Sequence, residues 1–190
     1  MPSLGISNFK FWTINHNAFT LVEVMISISI IAILTIAAIP SFSGFSRSQA
    51  MAQAFKSLKS DIRIAQSRSL SGATVSGAAK AWGISITDGS SQYNIFVCTP
   101  AQISSDYTYY RFGDPTLCSS TPYKTVDLGS SIRINGISPV IGGKLDLVFD
   151  SQNGSVYANG VQTNSSISVS YMDGTGTQTI NVTSSGGVGE

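Results

Sequence analysis

Glu23 is the residue whose chemistry fits its surroundings least, because it is the only charged side chain in the mostly apolar run 19–39, which is 21 residues long. A helix rises about 1.5 Å per residue, so this run would extend roughly 30 Å, the thickness of bilayer hydrocarbon. We therefore predict a helix that can cross a membrane. A carboxylate in such a helix costs on the order of 2–3 kcal/mol on insertion scales, so Glu23 needs either a position among lipid headgroups or a positively charged partner.

The residues that open this run follow a specific pattern. Residues 19–25 read Phe-Thr-Leu-Val-Glu-Val-Met, an Ile/Ala-rich stretch follows, and Pro40 stands at its end. This pattern resembles the start of type IV pilins and of the pseudopilins of type II secretion systems. The resemblance implies that a prepilin peptidase cleaves between Ala18 and Phe19 and methylates the new amine of Phe19.

The segment before the cleavage site departs from that family's usual form. The residue before the cut is usually Gly, and this chain has Ala18, which is small enough for the same protease pocket. The leader, residues 1–18, has Lys10 as its only Lys or Arg and contains several aromatic residues, whereas the family usually has a shorter, basic leader. Processing is expected to be slower, and the true start of translation could lie downstream of Met1.

The resemblance also gives Glu23 a partner. The free amine of Phe19 on an incoming subunit would carry a positive charge, and Glu23 of a neighbouring subunit could neutralise it within lipid. Removing either group would leave an unpaired buried charge. On this interpretation Phe19 and Glu23 set the register of subunit assembly. The alternative is that Glu23 lies at headgroup level in contact with water.

Catalytic chemistry has few candidate residues. The single histidine, His16, lies in the leader that processing would remove, so neither a Ser-His-Asp nor a Cys-His arrangement is expected in the mature chain. Asp146 and Asp150 fall around a predicted strand and its turn, where Asp is common because it hydrogen-bonds nearby backbone. Residues 150–154 lack the alternating acids and terminal Glu of a calcium loop and are predicted to be a turn. We predict no enzymatic activity, no cofactor and no metal site.

Length and composition are consistent with an exported protein that has one compact head. Together with the cleavage site that the resemblance implies, they give the expected division of the chain: a leader at 1–18, a transmembrane and assembly helix at 19–40, an amphipathic stem at 41–72 and a β-rich head at 73–190. The stem has five basic residues and one acid, whereas the head has five basic residues and eight acids. The basic stem could contact lipid headgroups, nucleic acid or acidic neighbouring heads, but a solvated helix face is the favoured interpretation.

The stem has the periodicity of a helix with one buried face. Apolar residues recur at alternating intervals of four and three and predict a stripe that packs on the head: Met51, Phe55, Leu58, Ile62 and Ala65. Pro40 and Gly44 predict a kink or local melting, because Pro removes a hydrogen bond and Gly has low helix propensity. Gly72 is a suitable end for the helix.

The remainder of the chain reads as short strands separated by turn residues. We predict an α+β fold in which the long N-terminal helix packs on an antiparallel sheet or a small β-sandwich head, as in pilins. The predicted strands are 81–87, 93–97, 123–128, 131–135, 144–149, 155–157, 166–171 and 177–182.

The head has two cysteines, Cys98 and Cys118. The two residues are 20 positions apart. In an exported domain the leading interpretation is a disulfide, which would contribute about 3 kcal/mol by closing a loop of this length on the chain-entropy model. The alternative is two free buried thiols. Metal binding is not expected, because no histidine lies near them.

A second, looser resemblance concerns the order of motifs in the stem and the head. The segments 61–67, 82–84 and 180–182, followed by a Gly-containing end, look like the FimT/GspH minor pseudopilins. The function implied is a structural, minor subunit of a type II secretion pseudopilus or type IV pilus, with a membrane-inserted helix and an extracytoplasmic head. The Lys and Arg residues flanking the run favour the opposite orientation, whereas the resemblance implies that the head lies outside.

The resemblance implies as partners the prepilin peptidase, other pilins or pseudopilins, an inner-membrane assembly platform and membrane lipid. One alternative function is a DNA-binding competence pilin. Because the tail 184–190 has no Arg and ends in Glu190, nucleic acid is not expected as a partner. Another alternative is a signal-anchored surface adhesin or binding module, which would keep residues 1–18 and would not need Glu23.

Overall fold

The computed structural model describes residues 20–99, 111–113 and 117–190, without the side chains of 37–43 and 79. The chain divides into two compact units, Met1–Gly44 and Phe45–Glu190. The predicted cleavage site, Ala18 and Phe19, lies outside the described residues.

One helix, α1, extends over Leu21–Leu70. It ends in a Schellman motif, in which a left-handed residue just past the helix turns the chain and satisfies the last carbonyl groups. Gly72 has a φ of 63°, its N–H bonds to the Ser69 carbonyl at 3.1 Å, and the Ala73 N–H bonds to the Arg68 carbonyl at 2.9 Å. The predicted helix end at Gly72 is therefore present in the structure.

Eleven strands follow the helix in the described part of the chain. They are β1 Thr74–Val75, β2 Ala78–Ala79, β3 Ala81–Thr87, β4 Gln92–Cys98, β5 Lys124–Asp127, β6 Ile132–Ser138, β7 Lys144–Phe149, β8 Val156–Ala158, β9 Ser165–Tyr171, β10 Gln178–Val182 and β11 Val188–Gly189.

The strands form two main antiparallel sheets and one small hairpin. The order of the larger sheet is β5-β4-β3-β7-β8, and that of the smaller sheet is β11-β10-β9-β6. The hairpin pairs β1 with β2. Every strand pair is antiparallel, so the fold is α+β, with a helix packed on antiparallel sheets, as the sequence predicts.

The core of the second unit lies between the stem and both sheets. The five residues of the predicted stripe are each at most 7% exposed. They share one cluster with apolar side chains from both sheets, and burial of each such side chain contributes about 1.5–3 kcal/mol; the sheet residues include Ile84, Leu147, Ile134 and Ile180.

Gly83 follows the buried Trp82 in the centre of the larger sheet. A Cβ atom at Gly83 would lie 2.6 Å from the Phe96 ring and 2.7 Å from the Leu147 carbonyl oxygen. A Cβ atom does not approach other heavy atoms this closely, so this position needs a residue without a side chain. The Trp-Gly pair in the sequence thus marks close packing of β3, β4 and β7.

The structure differs from the predicted strands mainly at short or irregular segments. The strands β3 and β7 have the predicted bounds, but β6 continues to Ser138, with a register shift between Ile134 and Ile137. The two-residue strands β1, β2 and β11 were not predicted, because segments this short have no periodicity.

Candidate assembly interface

The N-terminal end of α1 is capped by Thr20. The Glu23 N–H donates a hydrogen bond to the Thr20 Oγ1 at 3.2 Å, and the Val24 N–H donates to the Thr20 carbonyl at 3.2 Å. Glu23 lies in the first turn of the helix, where the helix dipole stabilises a negative charge. This location gives Glu23 a local role in starting the helix besides any role between subunits.

The first turns of α1 present apolar side chains on all sides. Every residue from 21 to 36 is exposed, and Ile36, Ile33 and Leu34 each expose more than 60% of their surface. A helix that is apolar all round normally has all of its faces covered, by protein or by lipid. The described part of the first unit supplies no such cover.

Three hydroxyl groups interrupt this apolar surface, and each is hydrogen-bonded within the helix. Ser27 donates to the Glu23 carbonyl at 2.8 Å, Ser29 to the Met25 carbonyl at 2.7 Å, and Thr35 to the Ile31 carbonyl at 2.7 Å. A hydroxyl bonded in this way exposes no unpaired donor, so these residues are compatible with an apolar environment.

Within the described residues, no helix meets the length and hydropathy expected of a membrane-spanning segment.

Pro40 and Gly44 both lie inside α1. The division between the two units comes directly after Gly44. The kink predicted at these residues stays a prediction.

The stem is joined to the head by Arg47, the first basic residue of the second unit. Its guanidinium forms an ion pair with Asp173 and lies 4.0 Å from the centre of the Tyr171 ring. The Tyr171 hydroxyl in turn donates to the Arg47 carbonyl at 3.1 Å. The pKa of Asp173 is held well below its usual range, first by the Thr175 hydroxyl and then by Arg47.

Further along the stem, basic side chains contact the end of the chain. Lys59 Nζ lies 2.7 Å from the Glu190 carboxylate, and Arg63 donates to the Val188 carbonyl at 3.1 Å. The charges of Arg47 and Lys59 are therefore paired within this chain, although the Arg47 side chain keeps 46% of its surface exposed, as a solvated face requires, and that of Lys59 keeps 19%. Part of the opposite charge of stem and head is therefore used in ion pairs within this chain.

The last turn of the stem contacts aromatic residues and buried backbone. The Arg68 guanidinium lies 4.7 Å from the centre of the Trp82 ring and 5.7 Å from that of Tyr123. Ser69 is fully buried; its hydroxyl donates to the Phe149 carbonyl at 2.6 Å and accepts from the Trp82 N–H at 3.4 Å. Ser69 thus connects the helix to both β3 and β7.

A further polar contact joins the middle of the stem to β4. The buried Tyr93 hydroxyl donates to the Asp61 carboxylate at 2.7 Å. Burial, and then this carboxylate, raise the pKa of Tyr93 well above its ordinary value. Tyr93 therefore stays protonated, and able to donate, at any pH at which an ordinary tyrosine is protonated.

Sequence reasoning missed these polar contacts, although one had a detectable signal. Ser69 continues the stripe of Leu58, Ile62 and Ala65 at helical spacing, and a polar residue on a buried face needs a partner. The partners of Asp61 and Arg47 are more than 30 and 120 positions away, so nothing local in the sequence indicates them.

The structure places a disulfide between Cys98 and Cys118. Both residues are buried in a small second cluster together with Ala81, Phe96 and Val148. The bridge closes a loop at the end of the larger sheet, and most of that loop lies outside the described residues.

The two head acids considered for catalysis are both buried, with different surroundings. Asp150 accepts a hydrogen bond from the Gln152 N–H at 3.0 Å, which is the predicted turn. Asp146 accepts one from the Phe112 N–H at 3.2 Å. Burial raises the pKa of Asp146 by more than nearby hydrogen bonds and positive charges lower it. In the described ranges, no three metal-binding side chains come together.

Comparison with known proteins gives one match, at the N-terminal end. Residues 14–39 match the family model of the prokaryotic N-terminal methylation motif. This match supports a prepilin-type pilin or pseudopilin, and it contains Ala18, Phe19 and Glu23. No curated protein and no solved structure matches the chain.

Proposed function

We propose that this protein is a structural, minor subunit of a type II secretion pseudopilus or a type IV pilus. The observation that carries the proposal is the apolar segment 21–36, which is exposed on all sides within the stretch that matches the methylation motif. Such a surface suits insertion in a membrane and later packing among other helices. The α+β second unit would be the part presented outside the membrane.

The proposal assigns a role to each part of the chain. A prepilin peptidase removes residues 1–18 and methylates Phe19, the helix 19–40 inserts in the cytoplasmic membrane, and the stem 41–72 carries the head 73–190 on the extracytoplasmic side. An inner-membrane assembly platform then moves the subunit into a filament with other pilins. At Pro40 and Gly44 the proposal places a kink or local melting of the helix.

The first experiment measures the intact mass of the protein from cells with and without prepilin peptidase. We expect the mature chain to begin at Phe19 with one added methyl group, and the precursor to accumulate when the peptidase is absent. Retention of residues 1–18 in both strains would overturn the proposal and favour a signal-anchored binding module.

The second experiment tests Glu23 as the partner of the Phe19 amine. Glu23→Ala and Glu23→Gln should insert and keep a folded head but should lower incorporation into filaments by about thirtyfold or more, because an unpaired charge in lipid costs on the order of 2–3 kcal/mol. Ser29→Ala, on the same exposed helix, is the matched control and should assemble normally.

Thr20→Ala separates the role of Glu23 as the partner of the Phe19 amine from its role in starting the helix. It removes the cap but keeps the charge of Glu23, so it should weaken the first turn and still assemble. Wild-type assembly of Glu23→Ala, or equal losses for Thr20→Ala and Glu23→Ala, would contradict a register role for Glu23.

A further inference from the structure

A groove of about 760 Å³ lies between the stem and the smaller sheet, inside the second unit. It is lined by residues of the stem, of β10 and of the end of the chain. The lining residues are Ala52, Phe55, Lys56, Lys59, Ser60, Arg63, Gln178, Thr179 and Glu190.

One wall of the groove is the edge of a strand. β10 pairs with β9 from Gln178 to Val182, but it pairs with β11 only at Asn181 and Val182. The Thr183 N–H bonds toward β11, to the Gly187 carbonyl at 2.8 Å. In an antiparallel strand the backbone groups of alternate residues face the same neighbouring strand. Thr179 lies four positions before Thr183, so its backbone groups also face the side on which β11 pairs. No strand of the described residues pairs with this edge of β10 from Gln178 to Ile180.

The groove also carries an excess of positive charge. Its lining contains Lys56, Lys59 and Arg63, against the single acid Glu190. Lys59 binds the Glu190 carboxylate at 2.7 Å and lowers its pKa, so the groove already holds one ionised carboxylate. Lys56 is exposed and makes no hydrogen bond or ion pair with any described residue.

We infer that this groove binds an extended acidic segment of a partner protein, which adds as a strand to the open edge of β10. Side chains of an added strand alternate between its two faces, so Glu or Asp at every second position would point toward Lys56, Lys59 and Arg63. The aliphatic parts of the Glu or Asp side chains would contact Phe55, which also lines the groove. The inference goes beyond the role in filament assembly and does not depend on cleavage before Phe19.

The test uses the full chain in neutral detergent micelles and a fluorescent hexapeptide of alternating Glu and Thr with blocked ends. Binding is followed by fluorescence anisotropy at low salt. Lys56→Glu should weaken binding by about five- to tenfold, as expected when one charge is reversed in a partly desolvated interface. Lys124→Glu is the matched control, because Lys124 is an exposed lysine on β5, in the larger sheet, and should leave binding unchanged.

Glu190→Gln gives an independent test, because Glu190 competes with the peptide for Lys59. This variant should bind the peptide about threefold more tightly. An unchanged or weaker affinity would contradict the role of Lys59, and equal effects of Lys56→Glu and Lys124→Glu would overturn the groove as the site.

Two N-methylated forms of the peptide test strand addition itself. One carries N-methyl groups on its Glu residues and the other on its Thr residues, so each retains the N–H groups of one edge only. A strand added to β10 uses one edge, so one peptide should bind like the parent and the other should lose most of its affinity. Equal binding of both would exclude strand addition, and tighter binding of hexathymidylate than of the parent peptide would assign the groove to nucleic acid instead.

Discussion

Replacing Ser69 by Ala removes the polar contact that ties the end of the stem to the larger sheet. The Ser69 hydroxyl is fully buried and serves two backbone groups, the Phe149 carbonyl at 2.6 Å and the Trp82 N–H at 3.4 Å. Alanine is smaller and favours helix, so the variant should fold in the same arrangement. Both backbone groups would then be left without this partner in a site that excludes water.

The expected loss of stability can be worked out from these two contacts. A buried group left without its hydrogen bond costs about 1–3 kcal/mol, and the short bond to Phe149 belongs in the upper part of that range. The bond to Trp82 is long and adds less, whereas Ala gains about 0.5 kcal/mol in helix propensity. The net loss is about 2 kcal/mol, which lowers the unfolding midpoint of a unit this size by roughly 4–8 °C.

The measurement is thermal and urea unfolding of the full chain in a mild detergent, followed by circular dichroism and tryptophan fluorescence. Ser71→Ala is the matched control, because Ser71 is two positions away and exposed, and its hydroxyl donates to the Arg68 carbonyl at 3.2 Å. It should change stability by less than about 0.5 kcal/mol. Equal midpoints for the two variants would refute the reasoning and show that water or relaxation replaces the Ser69 hydroxyl.

Two further predictions concern charge. Arg47→Ala should lower the unfolding midpoint by roughly 1–3 °C, and by less in 0.5 M salt, because its contact with Asp173 is half exposed and screened. Arg47→Lys keeps the ion pair but loses the planar stacking on Tyr171, so its midpoint should lie between those of wild type and Arg47→Ala. A loss from Arg47→Ala that does not depend on salt would contradict the role of the ion pair. For Asp146 the pKa is raised on folding, so the folded state holds this proton more tightly and its contribution to stability falls as pH rises above the ordinary value of 3.8. Asp146→Asn should therefore gain stability relative to wild type between pH 4 and pH 7 in urea titrations, and a difference that does not change with pH would refute the raised pKa.

Periodic parts of this chain could be predicted closely from the sequence. The spacing from Met51 to Ala65 reflects burial on one side, and the structure buries all five residues of that stripe. The bounds of β3 were also predictable from its alternation of apolar with small or polar residues, although the structure buries this strand at six consecutive positions, 81–86. The helix end at Gly72 was also predictable, because the residue after a helix often needs a positive φ, which Gly72 adopts. These features depend on neighbours within a few positions, which is the range that a single sequence can report.

The contacts that hold the stem to the head could not be predicted in the same way. Arg47 and Asp173 are more than 120 positions apart, and each is an ordinary surface residue when only its neighbours are considered. Their pairing depends on how the two sheets fold around the stem. For the same reason, nothing local in the sequence indicates that Lys59 pairs with Glu190 at the far end of the sequence.

The two parts of α1 place different demands on their surroundings. From Met51 to Ser69 the buried residues recur on one face, and the chain's own sheets cover that face, so this part is satisfied by folding alone. From residue 21 to 36 the apolar residues occupy every face, and a single-sided contact with a folded domain could cover at most one of them. The hydroxyls within that stretch are already bonded to the helix backbone, so they need no further polar partner. Lipid, and then a bundle of similar helices, would cover all of these faces at once, which is why we place the assembly role in this part of the helix and the recognition role in the groove beside the stem.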